Sequence, residues 1–248
     1  GIELDYDEWL RGELGSKRVV KDSLGRTVEN VESIRAASPG KDLTLSIDRR
    51  IQYLAYRELK AAVKQHKARS GSVVMLDVDT GEVLAQVNQP SFNPNLRKRP
   101  SGNYYRNRAV TDVFEPGSTV KPFTIAAALE SGKYRATTRI NTAPGYFKVG
   151  KNTIRDTKDY GDIDVSGVIT HSSNVGASKI ALSLSPEQQW SMYDRMGFGK
   201  VTGSGFPGES AGQMTGHYRW HDIERATLAF GYGLSVTPLQ LAQAYAVL

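Results

Sequence analysis

Pro122 constrains this chain more than any other residue. It stands between Glu115-Pro116-Gly117-Ser118-Thr119-Val120-Lys121 and the apolar run Phe123-Thr124-Ile125-Ala126-Ala127-Ala128-Leu129. That run reads as a buried helix ending near Gly132. A proline fits a helix only in its first turn, where its missing N–H has no intrahelical partner. Pro116-Gly117 breaks whatever precedes. The helix is therefore predicted to start at about Ser118, with Ser118 at its tip and Lys121 one turn along the same face.

A serine hydroxyl is a poor nucleophile until a neighbouring base takes its proton. Lysine can be that base only if its pKa falls. Burial against an apolar helix disfavours the ammonium form, and the positive end of the helix dipole pushes the same way. Backbone N–H groups at the helix tip are suited to hold a developing oxyanion. One turn thus offers nucleophile, base and part of an oxyanion hole. Ser-x-x-Lys is nonetheless a loose pattern. It recurs at Ser38-Pro39-Gly40-Lys41, where the internal Pro-Gly reads as a turn. From spacing alone, a catalytic and a structural role for Ser118 and Lys121 both stand open.

The 248 residues suffice for one large domain, or a domain plus a smaller piece, with a real core. No apolar run approaches the length of about 18 residues that a transmembrane helix needs, and no secretory signal is visible. The chain begins with Gly1, so the expectation is that an N-terminal segment, with any signal or anchor, has been removed. The absence of cysteine excludes disulfides, thiol catalysis and thiolate metal sites. The net charge of +6 suits an anionic polymer or a membrane surface as well as a merely soluble basic surface. The basic cluster Arg97-Lys98-Arg99, with Arg106 and Arg108, reads as a solvated loop without a nucleic-acid module.

Residues 1 to about 40 are polar, with a hairpin predicted around Asp22-Ser23-Leu24-Gly25. They read as a linker or the end of an upstream domain. Leu43–Ile47 alternates as a strand, and Asp48 caps a helix to about Lys67. Residues 72–78 and 82–87 are predicted strands joined through Asp79-Thr80-Gly81. A long polar loop covers 89–108. Residues 133–169 are irregular, with short strands at 145–149 and 153–156. Helices are expected from near Ser172, from Pro186 to about Met196 and over 222–230. A final helix opens at Thr237-Pro238-Leu239-Gln240, a capping box with proline at N1. Nothing ends it before Leu248, so further residues are expected to follow.

Ser172-Ser173-Asn174 forms a second candidate constellation. A serine hydroxyl there is placed to relay a proton to a leaving group, and the Asn174 amide offers both donor and acceptor to a substrate amide. Helix capping explains Ser172 or Ser173 equally well. The Ser-x-Asn pattern also occurs at Ser91-Phe92-Asn93 and Ser101-Gly102-Asn103. Three rivals carry less. Gly208-Glu209-Ser210-Ala211-Gly212 fits a nucleophile elbow but lacks the strand before it and the helix after it. His217 and His221 have i, i+4 spacing without a third metal ligand. Gly199-Lys200 is followed by Val201, not the Ser or Thr of a phosphate loop.

Taken together, Arg106-Asn107-Arg108, Thr111 to Pro122, Ser172-Ser173-Asn174-Val175-Gly176 and Phe230-Gly231-Tyr232-Gly233-Leu234-Ser235-Val236-Thr237-Pro238 resemble the class B penicillin-binding proteins. Among these the match is to the division-specific D,D-transpeptidases, the penicillin-binding protein 3 group of Gram-negative bacteria. The resemblance covers essentially the whole chain. It implies an α/β (α+β) fold shared with serine β-lactamases, a mainly antiparallel sheet flanked by helices and lacking its C-terminal strands here. Residues 1–40 would end an N-terminal pedestal domain, and 41–248 would be the transpeptidase domain, incomplete at its C-terminus. It implies catalytic Ser118, Lys121 and Ser172, with Asn174 binding substrate, and no metal or organic cofactor. The implied partners are peptidoglycan stem peptides, β-lactam antibiotics and membrane-bound division proteins including a glycosyltransferase, with no nucleic acid. The implied location is the periplasmic face of the inner membrane. One departure is plain: the family's Lys-Thr/Ser-Gly motif is missing, and Val201-Thr202-Gly203 lacks the lysine. A non-catalytic division scaffold and a β-lactamase of related fold are the alternative functions.

Overall fold

The computed structural model describes residues 1–95 and 103–248, with Asn30 and Asn103 described by backbone alone. The basic run Arg97-Lys98-Arg99 and the Ser101-Gly102 pair lie outside the described residues. The chain divides into two compact units, Gly1–Ser46 with Gly205–Pro207, and Ile47–Ser204 with Gly208–Leu248.

In the first unit, α1 (Ile2–Asp5) and α2 (Asp7–Arg11) precede β1 (Ser16–Lys21) and β2 (Thr27–Arg35). The strands pair antiparallel around the expected turn. Asp22 Oδ1 accepts from the Leu24 and Arg26 N–H groups, and Gly25 takes a φ of 77°. The two short helices were not legible in the sequence. The strand expected at 43–47 does not form: the segment is irregular, with Leu45 exposed. Alternation makes a strand only where another strand satisfies its backbone, and no described strand pairs here.

In the second unit, α3 (Arg49–Gln65) starts where expected, with Asp48 accepting from the Arg50 and Ile51 N–H groups. It packs against the antiparallel pair β3 (Gly71–Leu76) and β4 (Val83–Gln89). Gly71 lies directly under Leu59 and Val63 of α3, where an added Cβ would sit 2.9 Å from a Leu59 methyl. The next elements are α4 (Arg108–Thr111), a 3-10 turn over Gly117–Val120 and α5 (Lys121–Glu130). Then come β5 (Arg139–Asn141), β6 (Tyr146–Val149), β7 (Asn152–Arg155), β8 (Asp162–Asp164), α6 (Val165–Thr170), α7 (Asn174–Ser183) and α8 (Pro186–Arg195). Last are α9 (Asp222–Leu228) and α10 (Pro238–Ala246), the latter with both hydrogen bonds of the Thr237–Gln240 capping box. The helix expected to start at Ser118 is instead tightened into the 3-10 turn for its first three residues, and regular α-helix begins only at Lys121.

The fold is α+β with antiparallel pairing throughout. Among the described residues the strands form four two-stranded ladders, β1–β2, β3–β4, β5–β8 and β6–β7. The core lies where α5 meets α6, α7, α8 and α10. Phe123 is fully buried there, edge-on to Phe198 at 5.3 Å and to Tyr245 at 5.1 Å. Thr124 donates to the Ala229 carbonyl, tying α5 to the end of α9. Buried Arg225 reaches the Ala181 and Leu184 carbonyls, placing a cation at the C-terminal end of α7. Truncating Phe123→Ala should cost about 3–5 kcal/mol of unfolding free energy, the usual loss for a fully buried phenylalanine. Urea denaturation measures it, and a loss under about 1 kcal/mol would show that the helix is not anchored there.

Candidate active site

Proline at the second position of α5 sets the register, and the 3-10 turn before it does the rest. Such a turn has three residues per revolution, so residues i and i+3 stack directly over one another. Lys121 therefore lies over Ser118, its Nζ 3.0 Å from the serine Oγ. Ser118 is exposed while Lys121 is 2% exposed. The nucleophile candidate thus faces solvent and the amine stands behind it.

The second constellation comes to the same place. The sequence left the capping role open between two serines, and the structure divides the roles. Ser173 caps α7, its Oγ accepting from the Gly176 N–H at 2.8 Å. Ser172 stays outside the helix at a φ of 55°, a left-handed conformation that costs a non-glycine residue about 1 kcal/mol or more. That conformation aims its Oγ 3.0 Å from Ser118 Oγ and 2.8 Å from Lys121 Nζ. Asn174 Oδ1 lies 2.8 Å from the same nitrogen, and the Ser172 carbonyl is its fourth neighbour. The Asn174 amide nitrogen donates to the Arg155 carbonyl at 3.1 Å, which fixes the oxygen toward the lysine.

Counting donors decides what the amine can do. The Ser172 carbonyl and Asn174 Oδ1 can only accept. In a neutral amine they occupy both N–H groups and leave the lone pair facing the Ser118 and Ser172 hydroxyls. Desolvation of the buried amine drives it toward that neutral form and lowers its pKa from 10.5 to about 8, against an opposing pull from the negative charge of Asp156.

The Ser118 turn is held from behind by a segment whose role the sequence did not reveal. The Gly117 N–H donates to the Gly231 carbonyl at 3.1 Å, and the Gly233 N–H donates to Glu115 at 2.9 Å. Phe114 and Val236 exchange backbone hydrogen bonds. Gly231 has a φ of 85°, and a Cβ there would lie 2.0 Å from the Gly117 carbonyl oxygen. Asp156 was also missed. It accepts from Ser173 Oγ at 2.6 Å and from the Asn174 and Val175 N–H groups, so it fastens the start of α7.

The rivals are placed elsewhere. Ser38 pairs by backbone with Glu13, and Lys41 lies over the Trp9 ring. Ser210 sits in an irregular segment and accepts from the Gly212 N–H. His217 lies in a short 3-10 turn while His221 precedes α9, so the two do not share a helix. Among the described residues no cluster of three His, Cys, Asp or Glu could hold a metal, and no helix is long and apolar enough to cross a membrane.

Residues 71–248 match the penicillin-binding protein transpeptidase domain model. The chain belongs to the penicillin-binding protein transpeptidase family. Residues 1–45 match the penicillin-binding protein dimerisation domain. The probable peptidoglycan D,D-transpeptidase PenA of Neisseria flavescens is 49% identical over 250 residues, covering 100% of this chain and 62% of the relative. Peptidoglycan D,D-transpeptidase FtsI of Escherichia coli K12 is 47% identical over 248 residues, covering 100% of this chain and 42% of that protein. The penicillin-binding transpeptidase chain thus spans about half the length of such curated relatives. Among solved structures, the apo transpeptidase domain of Burkholderia pseudomallei penicillin-binding protein 3 superposes with a TM-score of 0.75 at 44% identity, covering 85% of this chain and 59% of that one. A structure titled as a peptidoglycan glycosyltransferase from Burkholderia ambifaria gives 0.76 at 46%, covering 82% and 60%. The resemblance of sequence to the penicillin-binding protein 3 group and the α+β transpeptidase fold are both borne out.

Two outcomes test this geometry. The Lys121 amine, followed by NMR through its side-chain resonances, should titrate near pH 8; a midpoint near 10.5 would mean that it is solvated. Gly231→Ala should lower the melting temperature and the reactivity of Ser118 together, since the added methyl meets the Gly117 carbonyl. An unchanged melting curve would show that the close approach is not kept.

Proposed function

We propose that the chain is the catalytic part of a serine-type peptidoglycan D,D-transpeptidase that cross-links stem peptides in septal wall synthesis and is acylated by β-lactams. The observation that carries this reading is the donor count at Lys121: two acceptor-only oxygens take its N–H groups and leave its lone pair for Ser118 Oγ, 3.0 Å away. Ser118 attacks the carbonyl between the two terminal D-alanines as Lys121 removes its proton. The C–N bond breaks, and the amine of the leaving D-alanine receives a proton through Ser172, whose hydroxyl touches both Lys121 and Ser118. The acyl group stays on Ser118. The amine of a neighbouring stem peptide then displaces it and returns the proton. Asn174, at the start of α7, holds the substrate amide. The first N–H groups of a helical turn have no partner within it, and the Ser118 N–H, near the start of the Gly117–Val120 turn, is the donor proposed for the developing oxyanion.

Further elements of the reading rest on the family rather than on this geometry. Residues 1–40 are taken as the end of an N-terminal pedestal domain and 41–248 as transpeptidase domain. The protein would work at the periplasmic face of the inner membrane, beside membrane-bound division proteins including a glycosyltransferase. β-Lactams fit the same mechanism, because their ring amide presents the carbonyl and its opened ring keeps the leaving nitrogen tethered.

Intact mass measured before and after incubation of the full-length protein with benzylpenicillin tests the proposal. One equivalent should add, the adduct should map to Ser118, and Ser118→Ala should remain unmodified. Lys121→Ala should slow acylation by about 100-fold or more, the usual contribution of a positioned general base. A folded full-length protein that forms no adduct would sink the transpeptidase reading.

A further inference from the structure

We infer that Thr124 and Tyr193 are positioning residues of this reaction: their adjoining hydroxyls fasten the end of α9 to the helix that carries Lys121, and so set where Ser118 stands relative to its base. The inference rests on the reading of Ser118 and Lys121 as nucleophile and base.

The observation is where the last carbonyls of α9 find their partners. A helix ends with carbonyls that its own N–H groups cannot reach. The end of α9 lies in the core, and buried side chains of three other helices supply donors. Gln189 Nε2 of α8 donates to the Arg225 carbonyl at 3.1 Å, and Ser178 Oγ of α7 donates to the Ala226 carbonyl at 3.1 Å. Tyr193 of α8 donates to the Leu228 carbonyl at 3.1 Å, and Thr124 of α5 to the Ala229 carbonyl at 2.9 Å. The Thr124 and Tyr193 hydroxyl oxygens lie 2.8 Å apart, and both residues are fully buried. Thr124 is conspicuous among its neighbours. Beyond the lysine, the other buried residues of α5 are Phe123, Ile125, Ala127 and Ala128, all apolar. A valine of the same shape would fill the space with no polar atom to satisfy, so packing alone does not call for this hydroxyl.

Two routes lead from the hydroxyl pair to the site. Thr124 stands three residues after Lys121, one turn along α5 on the same side. Ala229 stands two residues before Gly231, whose carbonyl accepts the Gly117 N–H at 3.1 Å beside Ser118. The base is thus tied to the pair through its own helix, and the nucleophile through the end of α9. Between them runs a 3-10 turn, whose hydrogen-bond geometry is poorer than that of an α-helix and which gains most from outside support. Proton transfer depends on the 3.0 Å contact of Lys121 Nζ with Ser118 Oγ. A small misplacement of reacting groups, caused by a change remote from them, costs up to about 100-fold in rate. Loss of either hydroxyl frees a carbonyl at the end of α9 and loosens the Gly231 support under the serine.

The test separates the non-covalent dissociation constant of benzylpenicillin from the rate constant of Ser118 acylation, in the full-length protein at a temperature where every variant is folded. Tyr193→Phe keeps the ring and removes the hydroxyl. It should lower the acylation rate constant about 10-fold and leave the dissociation constant within about twofold. Thr124→Val should do the same, Thr124→Ser should restore the parent rate constant, and the Tyr193→Phe/Thr124→Val pair should lose little more than either alone, because the two act as one unit. Ile180→Val, a buried change on α7 outside this network, is the control for lost stability and should leave the rate constant at the parent value. A parent-like rate constant in Tyr193→Phe, with the adduct still on Ser118, overturns the positioning role and leaves the serine reading intact. An adduct that persists in Ser118→Ala removes both. If Tyr193→Phe does not fold, the threonine variants decide, and equal rate constants for Thr124→Ser and Thr124→Val overturn the proposal.

Discussion

Everything at the site depends on burying one amine. An ammonium withdrawn from water without compensation is costly, so a lysine in that position must find partners or lose its proton. Lys121 does some of both. Its nitrogen meets four oxygens, held by three means: Ser118 by the 3-10 turn, the Ser172 carbonyl and hydroxyl by a left-handed residue, Asn174 by the end of β7. The apolar face of α5 is what keeps water out. Phe123, two residues beyond the lysine, locks that helix into the core. Stability of the core and basicity of the amine are thus one property seen from two sides.

The serine proposed as nucleophile is under a different constraint, since a nucleophile must be reachable. Ser118 stands exposed on a turn that would fray if it relied on its own hydrogen bonds. The support comes from the far side. The segment after α9 approaches so closely that only glycine fits at position 231, and Glu115 and Phe114 tie the same segment to the chain before the turn. Tyr245 of α10 adds a hydrogen bond to the Thr119 carbonyl at 2.7 Å. The exposed hydroxyl is thus presented from a turn that is tied down from behind at several points.

Local chemistry was legible and distant chemistry was not. Pro122 placed the helix start to within three residues. Glycine and proline punctuation located the β1–β2 turn, the β3–β4 turn, α8 and α10. What spacing could not supply was pairing. The alternation at 43–47 has the pattern of a strand and lacks a partner for it. β5 and β8 are three residues each, too short for any periodicity to show. The division of labour between Ser172 and Ser173 turns on one backbone angle, which two adjacent serines do not announce. Asp156 stood in a stretch read as a short strand. Its importance comes from α7, seventeen residues away in sequence at Ser173, so no local pattern could have flagged it.

The chain also contains its own control for the Ser-x-x-Lys pattern. At Ser38–Lys41 the internal proline and glycine make a turn, and the Lys41 ammonium lies 4.2 Å from the centre of the Trp9 ring. An aromatic face stabilises a cation. At Ser118–Lys121 the surroundings do the reverse. Burial penalises the charge, and the two acceptor-only oxygens direct the remaining lone pair at the serine. The two matches share a spelling and differ in the sign of the environment around the nitrogen. That sign, set by what packs over the lysine, separates a surface cation from an amine suited to act as a base, and it is the ground for proposing chemistry at only one of the two matches.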